Sequence, residues 1–161
     1  MSDKGRLYVV ATPIGNLKDF TFRAIDTLKE VDFVFAEDTR NSIQLMKHYN
    51  IETKIDSYHE HNSVKKTPKI INLLNEGNNI ALISDAGTPT ISDPGYKLIR
   101  ACIDEKIDIV PIPGASAVTT ALSASGLPSD SFFFLGFLPH KKGRKKKISF
   151  LKSLDNTIII F

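Results

Sequence analysis

Short apolar runs alternate with amphipathic stretches along this chain, and the spacing of apolar positions switches from strand-like to helix-like with each change. Leu7-Tyr8-Val9-Val10, inside Arg6 to Ala11, predicts a first strand. Phe22, Ile25 and Leu28 recur at three-residue spacing and predict a helix, with Asp19 expected as its cap. Residues 31–36 (VDFVFA) predict a second strand, and Ile43, Met46 and Lys47 a helix ending near Asn50. A short third strand is expected over 54–58. The helix after it carries Ile70, Ile71, Leu73 and Leu74 and stops at Gly77, a residue suited to a left-handed terminus. Ile80 to Ile83 predicts a buried fourth strand. The next helix starts near Pro94, with Asp93 expected to cap it. A fifth strand is expected over 107–112, and a helix rich in small residues runs from Ala115 to Ser125.

Strands alternating with helices predict an α/β fold with a largely parallel sheet. The pattern changes character near Leu127-Pro128. An aromatic strand over 132–137 follows, then a basic stretch, a helix carrying Ile148, Leu151 and Leu154, and an apolar strand over 157–161. A first domain is therefore expected over 1–117. Residues 118–161 are expected to be a linker helix and the opening part of a second α/β domain, left incomplete because the sequence stops within an apolar strand.

Charge sharpens this division. The net charge of the 161 residues is +3. Residues 131–161 carry seven basic side chains against Asp155, a net +6, which leaves −3 for residues 1–130. A polyanionic partner is expected at the basic end. The single cysteine, Cys102, sits in an apolar helical pattern, excludes an intramolecular disulfide and predicts a core residue rather than a nucleophile. No run approaches the length of a membrane span, and no signal-type stretch precedes the first strand, so a cytoplasmic protein without membrane attachment is expected.

The candidate chemistry gathers in loops at predicted strand ends, where open α/β sheets bind ligands. Three of these loops are rich in Gly and Pro: 11–16, 84–95 and 113–116. The first, Thr12-Pro13-Ile14-Gly15-Asn16, lacks the G-x-G-x-x-G spacing of a dinucleotide fingerprint and any Walker lysine. In the second, Asp85 can accept hydrogen bonds from ligand hydroxyl or amino groups, or simply cap its own loop. Gly87 permits close backbone approach.

Glu37-Asp38-Thr39-Arg40 offers either helix capping with a local ion pair, or substrate placement and proton handling. His59-Glu60-His61-Asn62 has poor spacing for zinc and reads as a polar loop, facing either a substrate or solvent; no metal is expected. Lys141, Lys142, Arg144, Lys145, Lys146 and Lys147 form either a solvated helix face or a phosphate-contacting patch.

Five segments in register, 7–17, 36–40, 84–95, 113–117 and 136–139, together resemble the tetrapyrrole methylase-like (class III) S-adenosylmethionine methyltransferases. Within them they resemble the branch that methylates ribose 2′-hydroxyls of small-subunit ribosomal RNA. The resemblance covers nearly the whole chain. It implies S-adenosylmethionine as cofactor, held in a cleft between two domains. Pro13, Ile14 and Gly15 would wall one side of it. Asp85, Ala86, Gly87 and Thr88 would contact its methionine or ribose, with Ser116 and Ala117 close by.

The substrate implied is a cytidine in 16S rRNA or the 30S particle, and the full-length protein is expected to be a homodimer. Because the family's proteins are longer, this chain alone is expected to be inactive. Methyl transfer from a sulfonium to an oxygen depends on positioning and on a proton acceptor. Glu37 and His59 are candidates for that acceptor, Arg40 and Lys141 for orienting phosphate, and the lysine cluster for binding RNA. A tetrapyrrole-type small-molecule methylase and a non-catalytic RNA-binding module are the competing readings; the lysine cluster favours RNA over the first.

Overall fold

A computed structural model describes residues 4–161 of the chain. They fall into two compact units, Met1–Ala115 and Ser116–Phe161.

The first unit is built on five strands: β1 (Leu7–Val10), β2 (Phe33–Ala36), β3 (Lys54–Ser57), β4 (Ile80–Ile83) and β5 (Ile109–Ile112). They form one parallel sheet in the order β3-β2-β4-β1-β5. Parallel strands need crossovers, and four helices supply them: α1 (Phe22–Glu30), α2 (Thr39–His48), α3 (Ser63–Asn75) and α4 (Tyr96–Asp104).

Alternation along the strands sends apolar side chains to both faces. Val10, Val34, Ala81 and Ile83 pack with Ala24 and Leu28 of α1 and Met46 of α2. Leu7, Phe35 and Leu82 pack with Ile70 and Leu74 of α3 and Leu98 and Cys102 of α4. The unit is thus a three-layer α/β/α sandwich. The fully apolar run Ile-Ala-Leu-Ile of β4 is buried on both sides, as a central parallel strand requires.

This topology fixes where a ligand can sit. The connection leaving β2 lies on one face and the connection leaving β4, its neighbour, lies on the other. Diverging connections open a crevice at the carboxyl ends of the strands. The loops leaving β1, β2, β3 and β4 all emerge on that edge.

Several helix boundaries differ from expectation. Asp19 does not cap α1: it lies in a 3₁₀ turn, and Thr21 Oγ1 accepts from the Ala24 N–H at 3.1 Å instead. Phe22, expected on the buried face, is 88% exposed, because starting the helix after Thr21 turns Ala24, Thr27 and Leu28 inward. Asp93 does not cap α4 either. Thr90 and Ser92 adopt left-handed backbone (φ 74° and 65°), the chain turns back, and Gly95 (φ 142°) stands at the N-terminus. The α3 terminus follows the sequence reading. Gly77 has φ 93°, and the Asn78 and Gly77 N–H groups reach Leu73 O and Leu74 O, both at 3.1 Å.

The second unit contains α5 (Ala117–Ala124), the parallel pair β6 (Phe132–Gly136) and β7 (Thr157–Ile160), and α6 (Arg144–Leu151) between them. The basic stretch itself opens α6, and Leu154, expected on that helix, lies beyond its end. Edge-to-face contacts of Phe133 with Phe150 and of Phe134 with Phe161 pack this unit. Among the described residues no helix is long and apolar enough to cross a membrane.

Candidate functional site

The loops leaving β1 and β4 are locked together. The Thr12 N–H donates to Gly87 O at 2.9 Å and the Gly87 N–H to Thr12 O at 3.1 Å, a small antiparallel bridge. The buried Thr12 hydroxyl donates to Ser84 O at 3.1 Å. Gly87 has φ 85°, and a Cβ there would stand 3.4 Å from Ile14 Cγ2, so Ile14 packs on it. At the tip, Gly15 has φ 135°, and a Cβ would project into open space. The loop therefore offers bare backbone to the crevice.

Asp85 is anchored to the loop after β2. Its Oδ1 accepts from the Asp38 N–H and its Oδ2 from Asn41 Nδ2, both at 3.1 Å. Asp38 caps α2, accepting from the Arg40 N–H at 2.9 Å. It also pairs with the Arg40 guanidinium, Nη2 to Oδ2 at 2.6 Å. That hydrogen-bonded pair holds the Asp38 carboxyl down to about 2.

Glu37, half-buried, shows the opposite shift. Burial first, then the charges of Asp93, Asp85 and Asp38, raise its pKa. Asp93 is raised by burial and by Asp85, against a hydrogen bond from the Ser84 hydroxyl that lowers it. Freed from capping, Asp93 joins an acidic wall with Glu37 and Asp85.

Glu37, Arg40, His59 and Asp85 line one open hollow of about 450 Å³, together with Thr39 and Ser57. The structure thus brings together the three residues singled out for chemistry and the key residue of the second loop. The His59 N–H is fixed by Asn62 Oδ1 at 2.9 Å, while its ring Nδ1 is buried without a partner among the described residues. His61 is exposed, its ring 6.0 Å from that of His59. No group of three or more His, Cys, Asp and Glu side chains among the described residues could hold a metal ion. Cys102 is fully buried, and burial pushes its thiol up to about 12, which leaves it inert.

A second hollow, of about 390 Å³, lies between residues 13–17 and α2 and shares Asp85 with the first. Its α2 stripe, Asn41, Gln44, Leu45 and His48, escaped the sequence reading. Its signal was one-turn spacing after an N-cap, which periodicity alone assigns to a solvent face.

In the second unit, Ser116 precedes α5 without a side-chain capping bond, and Ala117 is the first helical residue. Lys141, Lys142 and Arg144 to Lys146 are exposed and Lys147 half-buried at the start of α6, where no acidic residue offsets them. Lys147 Nζ lies 5.8 Å from the Phe150 ring centre.

Comparison with known proteins agrees with this fold. The family model for tetrapyrrole (corrin/porphyrin) methylases matches residues 6–161. A protein named ribosomal RNA small subunit methyltransferase I from Halalkalibacterium halodurans is 56% identical over 99% of this chain and 55% of its own length. One of the same name from Bacillus subtilis is 55% identical over 99% of this chain and 55% of its own. The chain thus spans about half the length of the curated relatives it matches.

Among solved structures, a diphthine synthase superimposes with a TM-score of 0.76 at 14% identity, covering 98% of this chain and 64% of that one. Uroporphyrin-III-C-methyltransferase from Thermus thermophilus gives 0.61 at 22% identity, covering 83% and 60%. These two likenesses are of fold. The chain belongs to the tetrapyrrole (corrin/porphyrin) methylase family.

Proposed function

We propose that this chain supplies the cofactor loops and reaction hollow of an S-adenosylmethionine-dependent methyltransferase. The acceptor is the 2′-hydroxyl of a cytidine ribose in small-subunit ribosomal RNA. The observation that carries the proposal is the pairing of 56% identity to a named rRNA methyltransferase with an acidic crevice at the carboxyl edge of a parallel sheet.

The residues present suit the cofactor. The bare backbone at Gly15 and the locked Thr12–Gly87 bridge leave a rigid, uncluttered surface. The Asp85 side-chain oxygens accept hydrogen bonds, as ribose hydroxyls and an ammonium group require. When bound, S-adenosylmethionine supplies an activated methyl group on sulfur. Pro13, Ile14 and Gly15 would bound it on one side and Asp85 to Thr88 on the other.

The carboxylates are best used away from the sulfur. Negative charge beside a sulfonium stabilises the ground state more than the transition state, in which that charge is fading. Glu37 is therefore assigned to the proton. Its pKa, raised by burial and by the charges of Asp93, Asp85 and Asp38, makes it a stronger base than an ordinary carboxylate. His59, with a buried unpartnered Nδ1, is the alternative acceptor. Arg40 can orient a phosphate only by sharing or leaving its bond with Asp38. The Lys141–Lys147 segment contributes sequence-independent phosphate contact, so RNA is the preferred substrate class over a free tetrapyrrole.

The test is transfer of labelled methyl from S-adenosylmethionine to small-subunit RNA or 30S particles by a protein of the relatives' full length. Glu37→Gln is expected to lower turnover about 10²-fold or more without changing cofactor affinity. Turnover unchanged by that substitution rules out Glu37 as base.

A further inference from the structure

The lysines of α6 do not stand on a plain surface. Gly143, Lys146, Lys147 and Phe150 recur at the spacing of one helix face and line an open hollow of about 330 Å³. Leu151 turns inward and is buried, so its neighbour Phe150, about 100° round the helix, is left 46% exposed. Gly143 has φ 85°, and a Cβ there would meet nothing within 4 Å, so its side of the hollow is bare backbone.

The ring is held in place. Phe133 of β6 meets it edge to face, with centres 5.9 Å apart and planes at 73°. Just past it the Ser153 hydroxyl donates to Phe150 O at 2.7 Å and the Lys152 N–H to Ile148 O at 3.0 Å, which closes the helix. Lys147 Nζ stands 5.8 Å from the ring centre, at the outer limit of a cation–π contact, and does not cover the ring. Neither Lys146 nor Lys147 has an ion-pair partner among the described residues, and the first turn of α6 carries no acid.

An exposed aromatic face beside unpaired cations suits a ligand that is flat at one end and anionic at the other. We propose that this hollow receives one base of an unpaired stretch of RNA, laid against the Phe150 ring, with the adjoining phosphates at Lys146 and Lys147. The inference rests on the RNA methyl-transfer reading above and adds a preference that phosphate contact alone lacks. In a duplex the bases stack on one another and offer no face to Phe150, whereas in a single strand they do. No side chain lining the hollow accepts a hydrogen bond, so the identity of the base is not read.

The test compares a labelled short oligouridylate with a labelled short RNA duplex, read by anisotropy, on this chain and on a protein of the relatives' full length. S-adenosylmethionine binding is followed by calorimetry in parallel. Phe150→Leu keeps an apolar contact for Phe133 but removes the ring. It should weaken oligouridylate about tenfold and leave the duplex and the cofactor unchanged. Phe150→Tyr should bind both RNAs as wild type does. Paired replacement of Lys146 and Lys147 by alanine should weaken both RNAs together. The chain has no tryptophan, so Phe150→Trp reports on the site directly. Its emission should be quenched by oligouridylate and not by the duplex.

Equal losses on the two RNAs in Phe150→Leu, or no loss on either, overturn the stacking site while leaving the methyltransferase reading in place. A loss seen in this chain and absent at full length also overturns it, by giving the Phe150 face to the rest of the protein. Absence of binding to either RNA overturns the site. If the full-length protein binds no S-adenosylmethionine either, the methyltransferase reading falls with it.

Discussion

At the scale of single residues, the site is governed by how four carboxylates share one edge. Glu37 holds its proton more tightly in the fold than in the unfolded chain. Its contribution to stability is therefore present below the ordinary carboxylate range and lost as pH rises through the raised folded value. Glu37→Gln removes that cost, so its thermal midpoint should exceed wild type at pH 7 and converge with it near pH 4. Activity runs the other way, since a base must be ionised. Asp38 is the opposite case. Its stabilisation is present above 3.8 and lost as pH falls toward about 2. Thr12 tests the floor of the site. Thr12→Val leaves Ser84 O without its hydroxyl donor in a buried place and should cost about 1–3 kcal/mol in urea unfolding. A loss below a few tenths would show that the bond does not hold the loop.

At the scale of elements, the turn from β4 to α4 carries the strain. Gly95 has φ 142°, and a Cβ there would lie 2.6 Å from Thr90 Cγ2 and 3.1 Å from Leu82 Cδ2. Gly95→Ala should destabilise by about 2–3 kcal/mol, combining backbone strain with overpacking. Equal denaturation midpoints for variant and wild type would show that this turn relaxes freely. Thr21→Ala should cost about 1 kcal/mol as a lost cap.

These two turns also mark where the sequence can be read and where it cannot. β4 is legible because four consecutive apolar residues between turn signals admit only a buried strand or a helix fragment. The α3 terminus is legible because Gly77 meets a local steric requirement. Asp19 and Asp93 mislead as caps because any acid before a periodic run satisfies the local pattern. What decides against them is non-local. Packing of Ala24 and Leu28 against the sheet starts the helix after Thr21, and Thr90 and Ser92 turn Asp93 toward Ser84. The Asn41–Gln44–His48 stripe is illegible for the same reason, since only the 13–17 loop opposite makes it a wall.

At the scale of the whole chain, acidic and basic functions lie in different units. The carboxylates of 37–93 belong to the first and the Lys141–Lys147 segment to the second. Replacing Lys145, Lys146 and Lys147 with alanine should weaken RNA binding and flatten its salt dependence, by about 0.7 in logarithmic slope for each phosphate no longer neutralised. An unchanged slope would show that the segment is a solvated surface. The parallel sheet and its carboxyl-edge crevice follow from sequence alternation together with the fold's crossover rules, while the sharing of Asp85 between two hollows does not.

The proposal that loops 11–16 and 84–88 carry the cofactor site meets its most direct test in an amide NMR titration of this chain with S-adenosylmethionine, which detects even millimolar affinity. Saturable shifts centred on Gly15 and on Asp85 to Thr88, reduced in Asp85→Ala, are expected. Shifts confined to other surfaces, or none at saturating cofactor, would refute the assignment.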